Sequence, residues 1–223
     1  MKAKIGQFTE EQLLSLARNV YREGTASFKI IPDSCALIVI DMQDDFVKPG
    51  WTPFWVPEAT RQVHKIKGLI EHCRKVNVPV IYTVFSKTHR YLDRPSSLLS
   101  MPIRYAELDI DQSEFFVQGS VWKELKPKQN EIVIHKSSYG AFYDTPLETI
   151  LKNLHKDTVI ICGTLTNFCC STTARQAYER GFKVIFGSDI TATDVPELQE
   201  HELMTLRKGF ARVLSAQDII RSL

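Results

Sequence analysis

The chain has little of three things: cysteine, net charge and long apolar runs. Its five cysteines are an odd number and show neither a disulfide framework nor the spacing of a zinc site. The formal net charge is only +2, and the interspersed basic and acidic residues leave no basic stripe for nucleic acid. No apolar stretch approaches the roughly 20 residues that a membrane-spanning helix needs. From the low net charge we expect no nucleic-acid partner, and from the lack of long apolar runs we expect no membrane partner.

The N-terminal residues lack the apolar core of a signal peptide, so the expected location is the cytoplasm. Three of the cysteines, Cys35, Cys73 and Cys162, lie in apolar settings typical of reduced, buried thiols.

With 223 residues and 43% hydrophobic content, the chain can bury one sizeable core. We predict a single domain over residues 1–223, with an N-terminal helical extension at 1–30 and an insertion at 86–130.

Apolar runs rich in Val and Ile alternate with helical patterns along the chain. Strands are predicted near 35–41, 78–85, 131–136, 158–163, 183–187 and 211–214, and helices near 58–75, 145–155, 168–180, 197–208 and from about 216. A capping box at Thr9 and Gln12 begins a further helix that ends at Gly24. This alternation predicts an α/β fold, a three-layer α/β/α sandwich around a mostly parallel, six-stranded, doubly wound sheet.

Three predicted strand ends carry residues of complementary chemistry. Asp41 follows the first strand, Lys136 closes the third, and Cys169 comes just after the fourth. In the common strand order 3-2-1-4-5-6, the first and fourth strands are neighbours where the winding reverses, and ligands bind there. A thiol attacks as the thiolate, which an ammonium and a helix N-terminus favour, while a carboxylate can take its proton. Each residue alone is better explained by packing or capping, but the combination indicates a reaction site.

The adjacent cysteines can be separated by helix geometry. Cys170 shares a stripe of small residues with Ala174, Ala177 and Gly181, at a spacing suited to packing on the sheet. Cys169 lies about 100 degrees round the helix, in its first turn, where the sulfur can face the groove. We therefore predict Cys169 as the nucleophile. A vicinal disulfide is disfavoured because consecutive helical side chains diverge.

Aromatic and basic residues near these strand ends could form a substrate pocket. The aromatic candidates are Phe46, Trp51, Trp55 and Tyr139. Packing beneath a loop or at a subunit interface explains such residues about equally well. The basic candidates for a carboxylate clasp are Arg90, Arg94 and Arg104 in the insertion. Exposed arginines rarely have that role, so the sequence singles out none of them.

The chain resembles the isochorismatase-like cysteine hydrolase superfamily from about Ala36 to its C-terminus. The resemblance rests on IVIDMQDDF at 38–46, FVQGS at 116–120, KSSYGAF at 136–142 and GTLTNFC at 163–169. It places the Asp of the family on Asp41, its Lys on Lys136 and its Cys on Cys169. Members with this triad hydrolyse C–N bonds of small amides and ureides through a thioester, which is what the resemblance implies for this chain.

The resemblance implies two further features. One is a non-proline cis peptide at Thr164–Leu165, and the other is an oxyanion hole made by the backbone N–H groups of Leu165 and Cys169. Nicotinamidases of the superfamily add a metal site built on an Asp-Trp-His-Pro-like segment and a second His. Nothing matches that segment and His89 stands alone, so we expect no metal and no cofactor.

The leading hypothesis is a cysteine-dependent amidohydrolase. Isochorismatases proper, which cleave a vinyl ether, lack the nucleophilic cysteine, so the closer likeness is to metal-free ureidoacrylate, biuret and N-carbamoylsarcosine amidohydrolases. The expected substrate is a small amide, ureido or carbamoyl compound. Vinyl-ether hydrolysis and a non-catalytic interaction protein on the same fold remain alternatives. Members of the superfamily are commonly dimers or tetramers, so a homodimer or homotetramer is expected.

Overall fold

The computed structural model describes residues 6–86, 89, 92–95, 116 and 120–223. Its regular elements include six strands and seven α-helices in these residues, besides short 3-10 and π-helical turns. The strands are β1 (Cys35–Ile40), β2 (Val80–Phe85), β3 (Ile132–Lys136), β4 (Thr158–Thr164), β5 (Lys183–Ala192) and β6 (Arg212–Leu214). The helices are α1 (Glu10–Glu23), α2 (Asp44–Val47), α3 (Pro57–Lys75), α4 (Leu147–Asn153), α5 (Ser171–Glu179), α6 (Leu198–Gly209) and α7 (Ala216–Ser222).

The strands form one sheet in the order β3-β2-β1-β4-β5-β6, with every ladder parallel. This is the common order of a doubly wound sheet, and the predicted α/β architecture is confirmed. The first and fourth strands are neighbours, paired from Cys35 with Thr158 to Ile40 with Gly163. The winding reverses between them. Because all strands are parallel, their carboxyl ends lie along one edge and open a crevice at this point.

Helices cover both faces of the sheet, which gives the three layers that the sequence predicts. Along β1, Leu37 and Val39 belong to the core beneath α3 and α7, whereas Ile38 and Ile40 belong to the core beneath α4, α5 and α6. This alternation follows from the two-residue repeat of a strand. A strand that is buried on both faces needs apolar residues throughout, which is why β1 reads as a continuous run.

The N-terminal helix α1 has the predicted ends. Thr9 and Gln12 form the capping box, and Gly24 terminates the helix with a φ of 83°. Its second half packs against α6, where the Lys208 ammonium lies 4.2 Å from the centre of the Tyr21 ring. None of the described helices is long and apolar enough to cross a membrane. The homodimer or homotetramer stays a prediction.

Two elements differ from the prediction. The helix expected from 168 begins at Ser171 and is preceded by a π-helical turn, Thr166–Cys170. The fifth strand, expected to end at 187, continues to Ala192, with a register shift in its pairing to β4 between Ile161 and Gly163. Its polar middle reads as a turn in the sequence, but an irregularity of this kind lets a strand continue past such residues.

A glycine allows β1 and β4 to approach each other at the crevice. Gly163 has a φ of 123°, and a Cβ at this position would lie 2.0 Å from the Ile40 carbonyl oxygen. No other residue can adopt this backbone and fit this space. Gly163 therefore allows β1 and β4 to lie close together at their carboxyl ends. Asp41 directly follows β1, and Cys169 lies in the turn that follows β4.

Candidate active site

Asp41 and Lys136 form a buried ion pair at the carboxyl ends of β1 and β3. The Lys136 Nζ lies 2.7 Å from the Asp41 Oδ2, and both side chains are 0% exposed. The ammonium also donates a hydrogen bond to the carbonyl oxygen of Ser138, at 2.9 Å. Burial acts to lower the pKa of Lys136, but attraction to Asp41 and to Cys169 outweighs it, and the pKa is raised. Lys136 therefore stays a cation despite its burial.

Thr83 on β2 holds the second oxygen of the Asp41 carboxylate. Its hydroxyl donates to the Asp41 Oδ1 at 2.7 Å, and its carbonyl accepts a hydrogen bond from the Asp41 N–H at 3.1 Å. The threonine is itself buried. The carboxylate is thus held by groups from two neighbouring strands. Sequence reasoning missed Thr83 because it lies inside an apolar run, where a threonine is typical of a strand.

The thiol of Cys169 completes the cluster. Its sulfur lies close enough to Asp41 and Lys136 for both charges to act on the pKa of the thiol. Burial raises the pKa of the Cys169 thiol to about 12, Lys136 acts to lower it, and Asp41 raises it further. Burial therefore favours the neutral thiol over the thiolate, because desolvation outweighs the attraction of the ammonium.

A proton transfer inside this cluster leaves its total charge unchanged. In the resting site, a carboxylate and an ammonium lie beside a neutral thiol. If the thiol proton moves to Asp41, the site holds a thiolate and an ammonium beside a neutral acid. Creating an isolated charge in a buried site is costly, whereas exchanging one ion pair for another avoids that cost.

The π-helical turn Thr166–Cys170 is called the nucleophile turn here, after the predicted role of Cys169. It places the two adjacent cysteines in different surroundings. Cys169 is 5% exposed, whereas Cys170 and the other three cysteines are 0% exposed. Cys170 packs in the core with Ala174 and Ala177, which places it on the stripe that the sequence predicts. Among the five cysteines, all of which lie in described parts of the chain, Cys169 is the one with any exposed surface.

A buried threonine ties the nucleophile turn to the loop after Lys136. The Thr173 hydroxyl donates to the Cys169 carbonyl oxygen at 2.7 Å and accepts from the Ala141 N–H at 3.0 Å. Three residues further along α5, Gln176 accepts a hydrogen bond from the Phe142 N–H at 3.2 Å. The turn that carries the thiol and the loop that follows Lys136 are thereby fixed to the same helix.

The cis peptide that the resemblance implies is present at Thr164–Leu165. The carbonyl oxygen of Leu165 accepts hydrogen bonds from the N–H groups of Phe168, at 3.2 Å, and Cys170, at 3.0 Å. These bonds close the nucleophile turn. The oxyanion hole formed by the N–H groups of Leu165 and Cys169 stays a prediction.

A model of the isochorismatase domain matches residues 35–218. The chain belongs to the isochorismatase family. Nicotinamidase 3 of Arabidopsis thaliana is 32% identical over 188 residues, which are 84% of this chain and 88% of the plant protein. The ureidoacrylate amidohydrolase RutB of Caulobacter segnis is 28% identical over 210 residues, 84% of each chain. A cysteine hydrolase of Pseudomonas syringae pv. phaseolicola 1448A superposes with a TM-score of 0.76 at 29% identity, covering 88% of this chain and 95% of its own.

Tyr139 lies near Cys169 and Lys136 in this isochorismatase-family hydrolase. Burial raises the pKa of the Tyr139 phenol, and the neighbouring Cys169 raises it further. Its ring centre lies 5.4 Å from that of Phe168, which belongs to the nucleophile turn and is 41% exposed. Phe168 is a candidate pocket wall that the sequence analysis missed. The sequence feature that could have indicated it is the position of Phe168 directly before Cys169.

The other three predicted pocket residues make their described contacts with other side chains. Phe46 is buried against Phe116, with ring centres 5.4 Å apart. Trp51 is 45% exposed, with the Lys48 ammonium 3.8 Å from the centre of its ring. The indole N–H of Trp55 donates to the Thr60 hydroxyl at 2.9 Å. Their role in a pocket stays a prediction.

Two of the three arginines that could clasp a carboxylate, Arg90 and Arg104, lie outside the described residues. Arg94 is described, and its guanidinium lies over the Phe85 ring. His89 is exposed and lies 3.3 Å from a carboxylate oxygen of Asp93. Among the described residues, no group of three or more His, Cys, Asp or Glu side chains could hold a metal ion. The expectation that this chain needs no metal stays a prediction.

Proposed function

We propose that this chain is a cysteine amidohydrolase that cleaves a C–N bond of a small amide, ureido or carbamoyl compound through a thioester. The observation that carries the proposal is the buried Asp41–Lys136 ion pair in contact with Cys169. A base, a cation and a nucleophile within mutual reach are the requirements of covalent acyl transfer. The proposal is also supported by the names of two relatives, a nicotinamidase and a ureidoacrylate amidohydrolase.

In the first step, the sulfur of Cys169 attacks the carbonyl carbon of the substrate while its proton passes to Asp41. Lys136 stabilises the negative charge that develops on the sulfur. The carbonyl oxygen becomes an oxyanion, and the N–H groups of Leu165 and Cys169 are the proposed donors to it. The neutral resting thiol makes Asp41 essential, because the proton has to be removed during the attack.

In the second step, the C–N bond breaks and Asp41 returns the proton to the leaving nitrogen, which departs as ammonia or an amine. Water then attacks the thioester carbonyl and gives its proton to Asp41. The C–S bond breaks, the acid product leaves, and Asp41 delivers the proton back to Cys169. The side chains end the cycle in the state in which they began it.

The test is a panel of primary amides, N-carbamoyl amino acids, biuret and ureidoacrylate, assayed for ammonia release. On any substrate that is turned over, Cys169→Ala should lower kcat/KM by at least about a thousandfold, as loss of a covalent nucleophile does. Cys170→Ala is the matched control, because it removes the adjacent thiol, which packs in the core. It should retain activity within a few fold.

Equal loss of activity in the two folded variants would refute the assignment of the nucleophile. Full activity of Cys169→Ala would refute the covalent mechanism altogether. Pyruvate release from an isochorismate-like substrate, with no ammonia from any of the amides, would instead favour vinyl-ether hydrolysis. Circular dichroism of each variant establishes that the fold is retained.

A further inference from the structure

The nucleophile turn is attached to the rest of the protein at both of its ends. Its C-terminal end is held by Thr173, whose hydroxyl donates to the Cys169 carbonyl oxygen. Its N-terminal end begins at Thr166, which is completely buried. A buried hydroxyl needs a partner for its proton, so the partner of Thr166 decides what holds this end of the turn.

That partner is Gln199, the second residue of α6. The Thr166 hydroxyl donates to the Gln199 Oε1 at 2.8 Å. The Nε2 of the same amide donates to the Thr191 carbonyl oxygen at 3.0 Å. A carboxamide has one accepting end and one donating end, and each end here has a partner of the matching kind. The Gln199 side chain therefore connects the nucleophile turn to the last residues of β5.

The end of β5 makes further bonds to the same stretch of chain. The Thr193 hydroxyl donates to the Asn167 Oδ1 at 2.8 Å, and the Thr164 hydroxyl donates to the Ala192 carbonyl oxygen at 3.2 Å. The chain can make these bonds because β5 continues past its register shift as far as Ala192. The N-terminal side of the nucleophile turn therefore lies against the polar end of β5.

A second glutamine bonds to the same carbonyl oxygen from the other layer of helices. The Gln62 Nε2, on α3, donates to the Thr191 carbonyl oxygen at 3.2 Å and to the Glu58 Oε1 at 3.2 Å. Gln62 is buried, whereas Gln199 is half-buried. Both glutamines support the end of β5, but of the two it is Gln199 whose described hydrogen bonds include one to the nucleophile turn.

We propose that Gln199 is a positioning residue, which acts through Thr166 to hold Cys169 at Asp41 and Lys136. This inference rests on the proposed function and adds a residue to its machinery. Without the amide oxygen, the buried hydroxyl of Thr166 has no acceptor at this position, and the turn can shift to find another. A small displacement of a nucleophile slows its attack. Because Gln199 does not touch the substrate in this proposal, its loss should lower kcat and leave KM nearly unchanged.

The first experiment is a double-mutant cycle on Gln199→Met and Thr166→Val, which remove the two halves of the bond and nearly keep the size of each side chain. On the best substrate of the amide panel, each change should lower kcat by about tenfold, the usual effect of leaving a buried polar group without its partner, with KM within about twofold. The double variant should be no slower than the slower single variant, because the second change removes nothing further. Thr166→Ser keeps the hydroxyl and should recover kcat.

The matched control is Gln62→Met, which removes the other amide that bonds to the Thr191 carbonyl oxygen. In urea denaturation it should lose at least as much stability as Gln199→Met, because Gln62 is the more buried residue, and it should keep the wild-type kcat. An equal loss of kcat in Gln62→Met would overturn the inference, since kcat would then follow the general stability of the end of β5. Multiplied effects in the double variant would overturn it as well.

A measurement without turnover separates this inference from the proposed function. The Phe168 and Cys170 N–H groups bond to the Leu165 carbonyl oxygen, so their hydrogen exchange reports how often the nucleophile turn opens. Gln199→Met should speed this exchange by at least about tenfold, and Gln62→Met should leave it unchanged. Unchanged exchange in Gln199→Met would overturn the inference and leave the amidohydrolase proposal standing. Faster exchange in a protein that is inactive on the whole panel would refute the proposed function and support the hold of Gln199 on the turn.

Discussion

Two ion pairs of the described structure are hydrogen-bonded to neighbouring residues of β2, Tyr82 and Thr83, and they differ in how far they are buried and in what surrounds them. Arg74 on α3 holds Glu131 with two hydrogen bonds, of 2.8 and 2.7 Å, and their side chains are 22% and 10% exposed. The Lys128 N–H and the Tyr82 hydroxyl complete that network. The Asp41–Lys136 pair has a single contact of 2.7 Å and no exposure.

This difference is the one that the proposed function requires between a structural pair and a reactive pair. The Arg74–Glu131 pair connects α3 to the residue before β3, and each charge has neutral partners that cannot exchange protons with it at neutral pH. The Asp41–Lys136 pair contacts a third group that can lose a proton, Cys169. Complete burial also strengthens the interactions within the cluster. A buried ion pair next to a nucleophile can therefore change its charge distribution, whereas a saturated pair only holds elements together.

The largest effect is expected from breaking each pair at its cation. Lys136→Met leaves the Asp41 carboxylate buried without a counter-ion, which typically costs about 3–5 kcal/mol of unfolding free energy. Arg74→Met should cost less, about 1–3 kcal/mol, because Glu131 keeps other donors and some contact with water. Urea denaturation measures both. Lys136→Met should abolish amidase activity, and Arg74→Met should retain it.

A double variant sharpens this result. Asp41→Asn combined with Lys136→Met removes both charges, so it should recover part of the stability lost in Lys136→Met and none of the activity. Equal destabilisation by Lys136→Met and Arg74→Met would mean that the two pairs do not differ in the way described above.

The next effect is a loss of stability in alkali. Burial raises the pKa of Cys35 to about 11 and those of Cys73 and Cys169 to about 12, from an ordinary value of 9.0. The unfolded chain therefore loses these protons first, and stability falls as the pH rises from about 9 to 12, by about 1.4 kcal/mol per pH unit for each thiol.

Two variants assign part of this slope to the two ion pairs. Cys169→Ala removes the thiol beside Asp41–Lys136, so its stability should fall less steeply above pH 9 than that of the wild-type protein. Tyr82→Phe removes the phenol beside Arg74–Glu131, whose pKa burial raises above 10.0, so its effect should begin only above about pH 10. Urea unfolding at several pH values measures the slopes. Identical slopes in all three proteins would contradict the account.

The smallest effect is expected at Thr83. Thr83→Val keeps the shape and removes the hydroxyl that donates to the Asp41 Oδ1 at 2.7 Å. It should lower kcat about tenfold with little change in KM and cost about 1–2 kcal/mol of stability, because a buried acceptor loses its donor. Thr83→Ser restores the hydroxyl and should recover kcat. If Thr83→Ser is as slow as Thr83→Val, the hydroxyl is not what positions Asp41.

The sequence was sufficient to predict the sheet and the convergence of the three chemical residues. Apolar runs such as Cys35–Ile40 are readable because a strand buried on both faces has no polar positions. Once the strands are parallel, their carboxyl ends share one edge, so Asp41, Lys136 and Cys169 have to approach each other. The resemblance located the cis peptide at Thr164–Leu165.

Features that depend on three-dimensional burial could not be predicted in this way. The neutral state of Cys169 depends on desolvation, which no local pattern of residues encodes. Thr83 becomes significant only when β2 lies beside β1. The π-helical turn before α5 has no composition that separates it from an α-helix. Trp51 and Trp55 are near Asp41 in sequence, but they make their described contacts with Lys48 and Thr60.

The central claim is that Cys169 rests as a neutral thiol and loses its proton to Asp41 only during attack. The most direct test is the ultraviolet absorbance of the thiolate, titrated as the difference between the wild-type protein and Cys169→Ala. The account predicts no difference signal at pH 7 and its appearance only well above the ordinary thiol pKa of 9.0. A difference titration with its midpoint at or below pH 7 would contradict it.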